Sequence, residues 1–222
     1  MSTGSDAKKA KFETMPVPRA LASLAIPTII SQLITLIYNL ADAYFVGLTG
    51  NAYMIGAVSL VYPVFSMTIA LANLFGVGGG NLISRLLGVQ RQGEAKKVCM
   101  FSFYAAICVS LLFSAVVGVS LVPLLRALGA SADTMPYARQ YMLLVVVAGT
   151  LLSATMGHLL RSVGYAKKAS IGLSMGAVLN IILDPIFMFV LLPAGREVIG
   201  AALATMTANA IASLYFLGVI AK

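Results

Sequence analysis

The stretch 20–46, ALASLAIPTIISQLITLIYNLADAYFV, carries one charged residue, Asp42. About 20 apolar residues are enough for a helix to cross a bilayer, so this run is long enough to span. Five further stretches read the same way, at about 53–77, 98–122, 137–160, 169–192 and 200–220. Of the 222 residues, 60% are hydrophobic and only 10% charged, against roughly 25% charged in a soluble domain. The mean hydropathy is +0.96. A soluble domain of this size could not hide so much apolar surface, and disorder, collagen and a disulfide scaffold are excluded as well. The runs are continuous, whereas barrel strands are ~10 residues of alternating polarity. The expected fold is all-α: a polytopic membrane protein of six transmembrane helices. The division expected is a cytoplasmic tail, 1–18, and a membrane unit, 19–222.

The net charge of +8 could suggest nucleic acid, but basic residues flank membrane helices on their cytoplasmic side. No nucleic-acid partner is expected; lipid is. With the N-terminus inside, the inner segments hold Lys8, Lys9, Lys11, Arg19, Arg85, Arg91, Lys96, Lys97, Arg161, Lys167, Lys168 and Lys222, twelve in all. The outer segments hold Arg126, Arg139 and Arg196. This bias places both termini in the cytoplasm. No small-residue cleavage site follows the first apolar run, so no cleaved signal peptide is expected. Cys99 and Cys108 would lie roughly 13 Å apart along one helix, too far for a disulfide. They read as small packing residues.

Five of the seven acidic residues fall in tails, loops or span ends, but Asp42 and Asp184 lie inside apolar spans. An ionisable group at that depth costs at least ~2.5–3.5 kcal/mol and normally faces a cavity or a partner. Their neighbours are polar. Tyr38 and Asp42 share a helix face at i, i+4, with Asn39 beside them. Asn180 and Asp184 repeat that spacing on the fifth span, and Thr205 and Asn209 on the sixth. Converging, these stripes would make a pocket of carboxylate, amide and hydroxyl oxygens. Such ligands suit hard cations and protons rather than soft metals. Two buried carboxylates close together cannot both stay ionised cheaply. The pair should hold a proton or a cation and release it when water enters, so the ion would bias a conformational equilibrium.

Pro185 has no N–H, so the Ile181 carbonyl loses its helical partner beside Asp184; Pro27 does the same to Ser23. Pro185 is read as a bend at the site, Pro27 as an ordinary kink. Gly76, Gly78, Gly79 and Gly80 lack the lysine and spacing of a phosphate loop. They are read as the exit of the second span and as places for close packing or a bend, with the apolar face able to continue helical through Leu86. A basic loop over 85–97 is expected to follow, the third span is expected to stop at Pro123, and a second basic loop is expected over Arg161–Lys168. His158, the only histidine, reads as structural. Tyr62, Phe65 and Met67 are cavity candidates only. No Cys/His cluster has zinc spacing and no Ser/His/Asp arrangement is visible. Neither an enzyme nor a cofactor is expected.

LIYNLADAYFVG (36–47) resembles the first-helix signature of the multidrug and toxic compound extrusion (MATE) transporters. AVSLVYPVF (57–65) and ISRLLGVQRQGEAKKV (83–98) resemble the second helix and the loop after it. HLLRSVGYAKKA (158–169), NIILDPIF (180–187) and GAALAT (200–205) continue in the family's order. The nearest likeness is to the DinF- and MepA-like bacterial branch. The resemblance implies two six-helix lobes around a central cavity, and efflux of drug-like compounds driven by inward Na⁺ or H⁺. It implies an amino-terminal lobe with an acidic residue on its first helix and an Asn/Asp pair on its fifth. Those match Asp42, Asn180 and Asp184, with Tyr38 and Thr205 in support. Na⁺, where it is the coupling ion, would be held at Asp42, Asn180, Asp184 and Thr205. The membrane implied is the bacterial cytoplasmic membrane.

This chain has six spans where a family member has twelve, so it resembles one lobe. The other lobe would be a carboxy-terminal half or a second copy of this chain. Two other readings stay within membrane partners: a lipid-linked oligosaccharide flippase of the same superfamily, and a non-transporting half-protein that partners a full transporter. No Lys or Arg is expected deep in a span, which weighs against the flippase. An intramembrane aspartyl protease would also set two aspartates on two helices, but it uses Tyr-Asp and Gly-x-Gly-Asp runs where this chain has Ala41-Asp42 and Leu183-Asp184.

Overall fold

In the computed structural model, residues 16–147, 150–193 and 195–220 are described. Most of the expected tail, with Lys8, Lys9 and Lys11, and the terminal Lys222 lie outside them. The described residues form helices and turns, with no strand among them. The helices are α1 (Val17–Leu48), α2 (Ala52–Asn73), α3 (Gly79–Gly88), α4 (Gln92–Val119), α5 (Leu121–Ala127), α6 (Met135–Val147), α7 (Thr150–Ser162), α8 (Ala166–Pro185) and α9 (Glu197–Ile220). Two π-helical segments, Leu74–Gly78 and Ile186–Leu191, extend α2 into α3 and prolong α8. Among the described residues, six helical units are long and apolar enough to cross a membrane: Val17–Leu48, Ala52–Gly88, Gln92–Val119, Met135–Ser162, Ala166–Leu191 and Glu197–Ile220.

The outer surface is apolar, carried by side chains such as Leu33, Leu36, Leu111, Leu112, Val190 and Leu214. In water this would be a liability; against hydrocarbon it is the required face. The first and fourth spans differ most. Only 6% of the most apolar window of α1 is buried, against 64% for Met135–Ser162. The α6–α7 unit is therefore central and α1 peripheral. α1 lies chiefly along α8, which packs along α9; α2 packs on α6 and α7, and α4 on α3 and α7.

Helix α8 approaches α9 through small residues. A Cβ on Gly172 would meet the Phe216 ring at 2.3 Å, and one on Gly176 would meet Ala212 Cβ at 3.3 Å. Gly172, Gly176, Asn180 and Asp184 recur every four residues, so the face that allows this approach also carries the polar pair.

Helix continues through Gly76–Gly80, as a π segment and then α3, in keeping with the apolar face read through Leu86; two other boundaries differ from the sequence expectation. The glycines serve the expected close packing: a Cβ on Gly76 would lie 2.8 Å from His158 Cβ. The expected basic loop shrinks to a turn around Val89–Arg91, because Arg85 lies on α3 while Glu94, Lys96 and Lys97 open α4. Arg91 pairs with Glu94 in that first turn, where acidic side chains complement the helix dipole. The third span ends at Val119, before Pro123, which sits inside the short helix α5. Early in a helix the missing N–H leaves no bond broken.

Candidate functional site

Three buried polar side chains, Asn180, Asp184 and Thr205, stand on α8 and α9, and α1, which carries Asp42, packs along α8. Asp184 is fully buried, Asn180 is 2% exposed and Thr205 is 9% exposed. Pro185 follows Asp184 directly, and the helix passes there from α to π. Such π segments mark irregular backbone at functional positions in many helices. With its amide oriented so that each end meets a complementary group, Asn180 donates from its nitrogen to Asp184 Oδ2 at 3.3 Å. Its oxygen then accepts from Thr205 N at 3.1 Å and from Thr205 Oγ at 3.2 Å. The amide thus ties α8 to α9 and fixes one oxygen of Asp184.

The other oxygen, Asp184 Oδ1, is buried without a hydrogen-bond partner, and so is Oδ1 of Asp42. The charge of Asp42 acts on Asp184, so the two carboxylates share one electrostatic pocket. The Tyr38 hydroxyl lies in the fields of Asp42, Asp184 and Tyr62. Tyr141, from α6, lies in those of Asp42, Tyr38 and Asp184. Two unpartnered carboxylate oxygens in an apolar interior need a positive charge or a proton beside them. Among the described residues no group of three His, Cys, Asp or Glu side chains gathers as a metal site. An ion here would meet carboxylate, amide and hydroxyl oxygens, the donor set of a hard cation.

A cavity of about 350 Å³ reaches toward this cluster. Tyr38, Asn180, Thr205 and Asn209 line it; Asp42 and Asp184 do not. Along α8 the lining runs from Leu173 to Asn180, roughly 10 Å at the helical rise. At its other end stand His158 and Arg161. Asn39 is exposed on α1 and is not part of the lining.

Two residues were not anticipated. Tyr141 stands at the head of the fourth span's apolar run, directly after Arg139 and Gln140, and reads there as an ordinary aromatic near a span end. Arg161 was assigned to a basic loop, but it lies in the last turn of α7, half-buried at the cavity. Gly164, with φ +83°, closes that helix: Tyr165 N–H donates to the Leu160 carbonyl at 2.9 Å and Gly164 N–H to Arg161 O at 3.0 Å. This is the αL glycine stop that ends many helices, and it keeps Arg161 helical. The expectation that placed Arg161 in a loop is thereby corrected: it stands in the last turn of the helix, at the span's end.

The MatE family model matches residues 27–186. The multidrug export protein MepA of Staphylococcus haemolyticus (strain JCSC1435) is 34% identical over 208 residues, covering 93% of this chain and 45% of its own. An outward-facing structure of a multidrug resistance MATE family transporter of the MOP superfamily aligns with TM-score 0.85 at 30% identity, over 90% of this chain and 44% of that one. An inward-facing structure of such a transporter aligns with TM-score 0.76 at 30% identity, over 89% and 44%. The chain thus spans about half the length of the relatives it matches.

Proposed function

Because this chain belongs to the MatE family, we propose that it forms the amino-terminal lobe of a cation-coupled exporter of drug-like, small amphipathic compounds. Asp42 and Asp184 hold the coupling ion, Na⁺ or H⁺. Asn180, Tyr38 and Thr205 support it. The observation that carries this reading is the pair of buried, unpartnered carboxylate oxygens facing one polar cluster.

The chemistry follows from desolvation. With no ion present, two carboxylates in an apolar pocket favour any rearrangement that admits water. With the ion bound, the closed packing of α1 on α8 becomes affordable. The ion therefore shifts an equilibrium by its difference in affinity for two conformations. α1 is the least buried span and carries Asp42, so it is the element that such a shift would move. Alternating access needs a second unit to rock against. That unit is a second six-helix lobe, either a carboxy-terminal half or another copy of this chain. The charge distribution supports both termini inside, and the likeness to bacterial relatives supports the bacterial cytoplasmic membrane.

Dye efflux from proteoliposomes under an imposed Na⁺ or H⁺ gradient tests the reading. Asp184→Asn and Asp42→Asn should each abolish it while insertion stays normal. Unchanged efflux in both variants removes the site assignment.

A further inference from the structure

The proposed export cycle leaves the Arg161 end of the cavity without a task. Arg161 Nη2 donates to Ser31 Oγ at 3.0 Å, and that hydroxyl in turn donates to the Thr28 carbonyl at 2.9 Å. Ser31 is fully buried. The Nε–H of Arg161 is buried and has no acceptor. Among the described residues, the only ion pair is Arg91–Glu94, so no carboxylate stands within 4.0 Å of this guanidinium. A half-buried cation with a spare N–H is an unbalanced group. Its planar fork of five donors matches a carboxylate or a phosphate better than any neutral acceptor.

The surroundings are built to receive such a group. Gln32 and Asn73 bring amides to the same cavity, and Phe65, Ile69 and Leu173 supply apolar walls. The volume of about 350 Å³ lies within the range of small-molecule pockets, which run from about 300 to 1,000 Å³.

We propose that the Arg161 end of this cavity binds the acidic group, carboxylate or phosphate, of an amphipathic ligand whose apolar part lies against Phe65, Ile69 and Leu173. The inference rests on the cavity and not on the export reading. A chain that moved nothing across a membrane would still bind the acid.

The test is equilibrium dialysis of naphthylacetate against its uncharged amide, naphthylacetamide, with the full chain in nanodiscs of zwitterionic lipid and empty discs as control. Charge-assisted hydrogen bonds to Arg161 should make the acid bind about tenfold tighter or more than the amide. Arg161→Gln should erase that preference. Ser31→Ala, which leaves the guanidinium in place, should keep it. Repeating the measurement in phosphatidylglycerol discs identifies the source of the acidic group. Acid binding displaced by the lipid means that a phosphate headgroup takes the site, and acid binding retained means that a soluble acid does; both support the proposal. Equal binding of acid and amide to the unaltered chain, binding of neither, or a preference that survives Arg161→Gln would overturn it.

Discussion

One cavity has two unlike ends. One end is lined by Tyr38, Asn180 and Thr205; behind that lining, Asn180 bonds Asp184, and Asp184 and Asp42 each keep a buried oxygen that accepts no hydrogen bond. Near the end of α7 the cavity is faced by Arg161, with a buried Nε–H that donates none. About 10 Å of helix separates the two along α8. Neither end neutralises the other by contact, because no acid lies within ion-pair distance of Arg161 among the described residues. Paired charges would have locked the lobe as structure. Apart, each end keeps a spare polar atom for something that comes and goes. The carboxylate end suits a cation, the guanidinium end an acid.

Substitutions at the carboxylate end break this contrast most. Asp184→Asn should reduce ion-driven efflux to background, with membrane insertion unchanged, as read by dye efflux and by membrane fractionation. The same variant should leave the acid-over-amide preference at Arg161 intact, since that end is separately built. Loss of both together would mean that the two ends form one site.

The glycines beneath each end come next. A Cβ on Gly200 would lie 2.8 Å from the backbone of Met188, in the π segment that follows Asp184. Backbone cannot swing aside as a side chain can. Gly200→Ala should therefore destabilise the lobe by about 1–3 kcal/mol and weaken ion binding, as seen by thermal unfolding with and without Na⁺. Gly76→Ala instead presses on His158 Cβ at 2.8 Å. Because a Cβ is fixed to its backbone, the cost should be similar, and the variant should disturb acid binding rather than ion binding.

Thr205→Val sharpens the carboxylate end. It removes the hydroxyl that faces Asn180 while leaving the backbone N–H as a donor to the amide. A lost hydrogen bond of about 1 kcal/mol predicts a roughly fivefold loss of ion affinity in a titration. Asn39→Ala should do least. Asn39 is exposed on α1, and exposed substitutions stay within about 0.5 kcal/mol. An ion affinity altered as much as by Thr205→Val would mean that Asn39 belongs to the site.

The two ends were also unequally legible. The carboxylate end is written as a helical period: Tyr38 and Asp42, Asn180 and Asp184, Thr205 and Asn209 each share a face because the helix turns every 3.6 residues. Charged or amide side chains in apolar runs draw notice without any structure. Tyr141 belongs to the same cluster but gives no local signal, since its companions come from α1 and α8, far away in the chain. Arg161 was hidden by its neighbours. Gly164, Lys167 and Lys168 read as loop, and only the position of the αL stop shows that the helix still includes residue 161. The six spans follow from hydropathy alone. Some of their ends did not, because a helix here admits proline in its first turn and the basic residues around the Val89–Arg91 turn are themselves helical, while composition registers only the punctuation.

The central claim is that Asp42 and Asp184 take up the coupling ion. Infrared difference spectroscopy of the carboxyl stretch, recorded as Na⁺ or acid is added to the reconstituted chain, tests it most directly. The account predicts a carboxyl band that changes on addition and disappears in both Asp184→Asn and Asp42→Asn. Difference spectra identical among the two variants and the unaltered chain would contradict it.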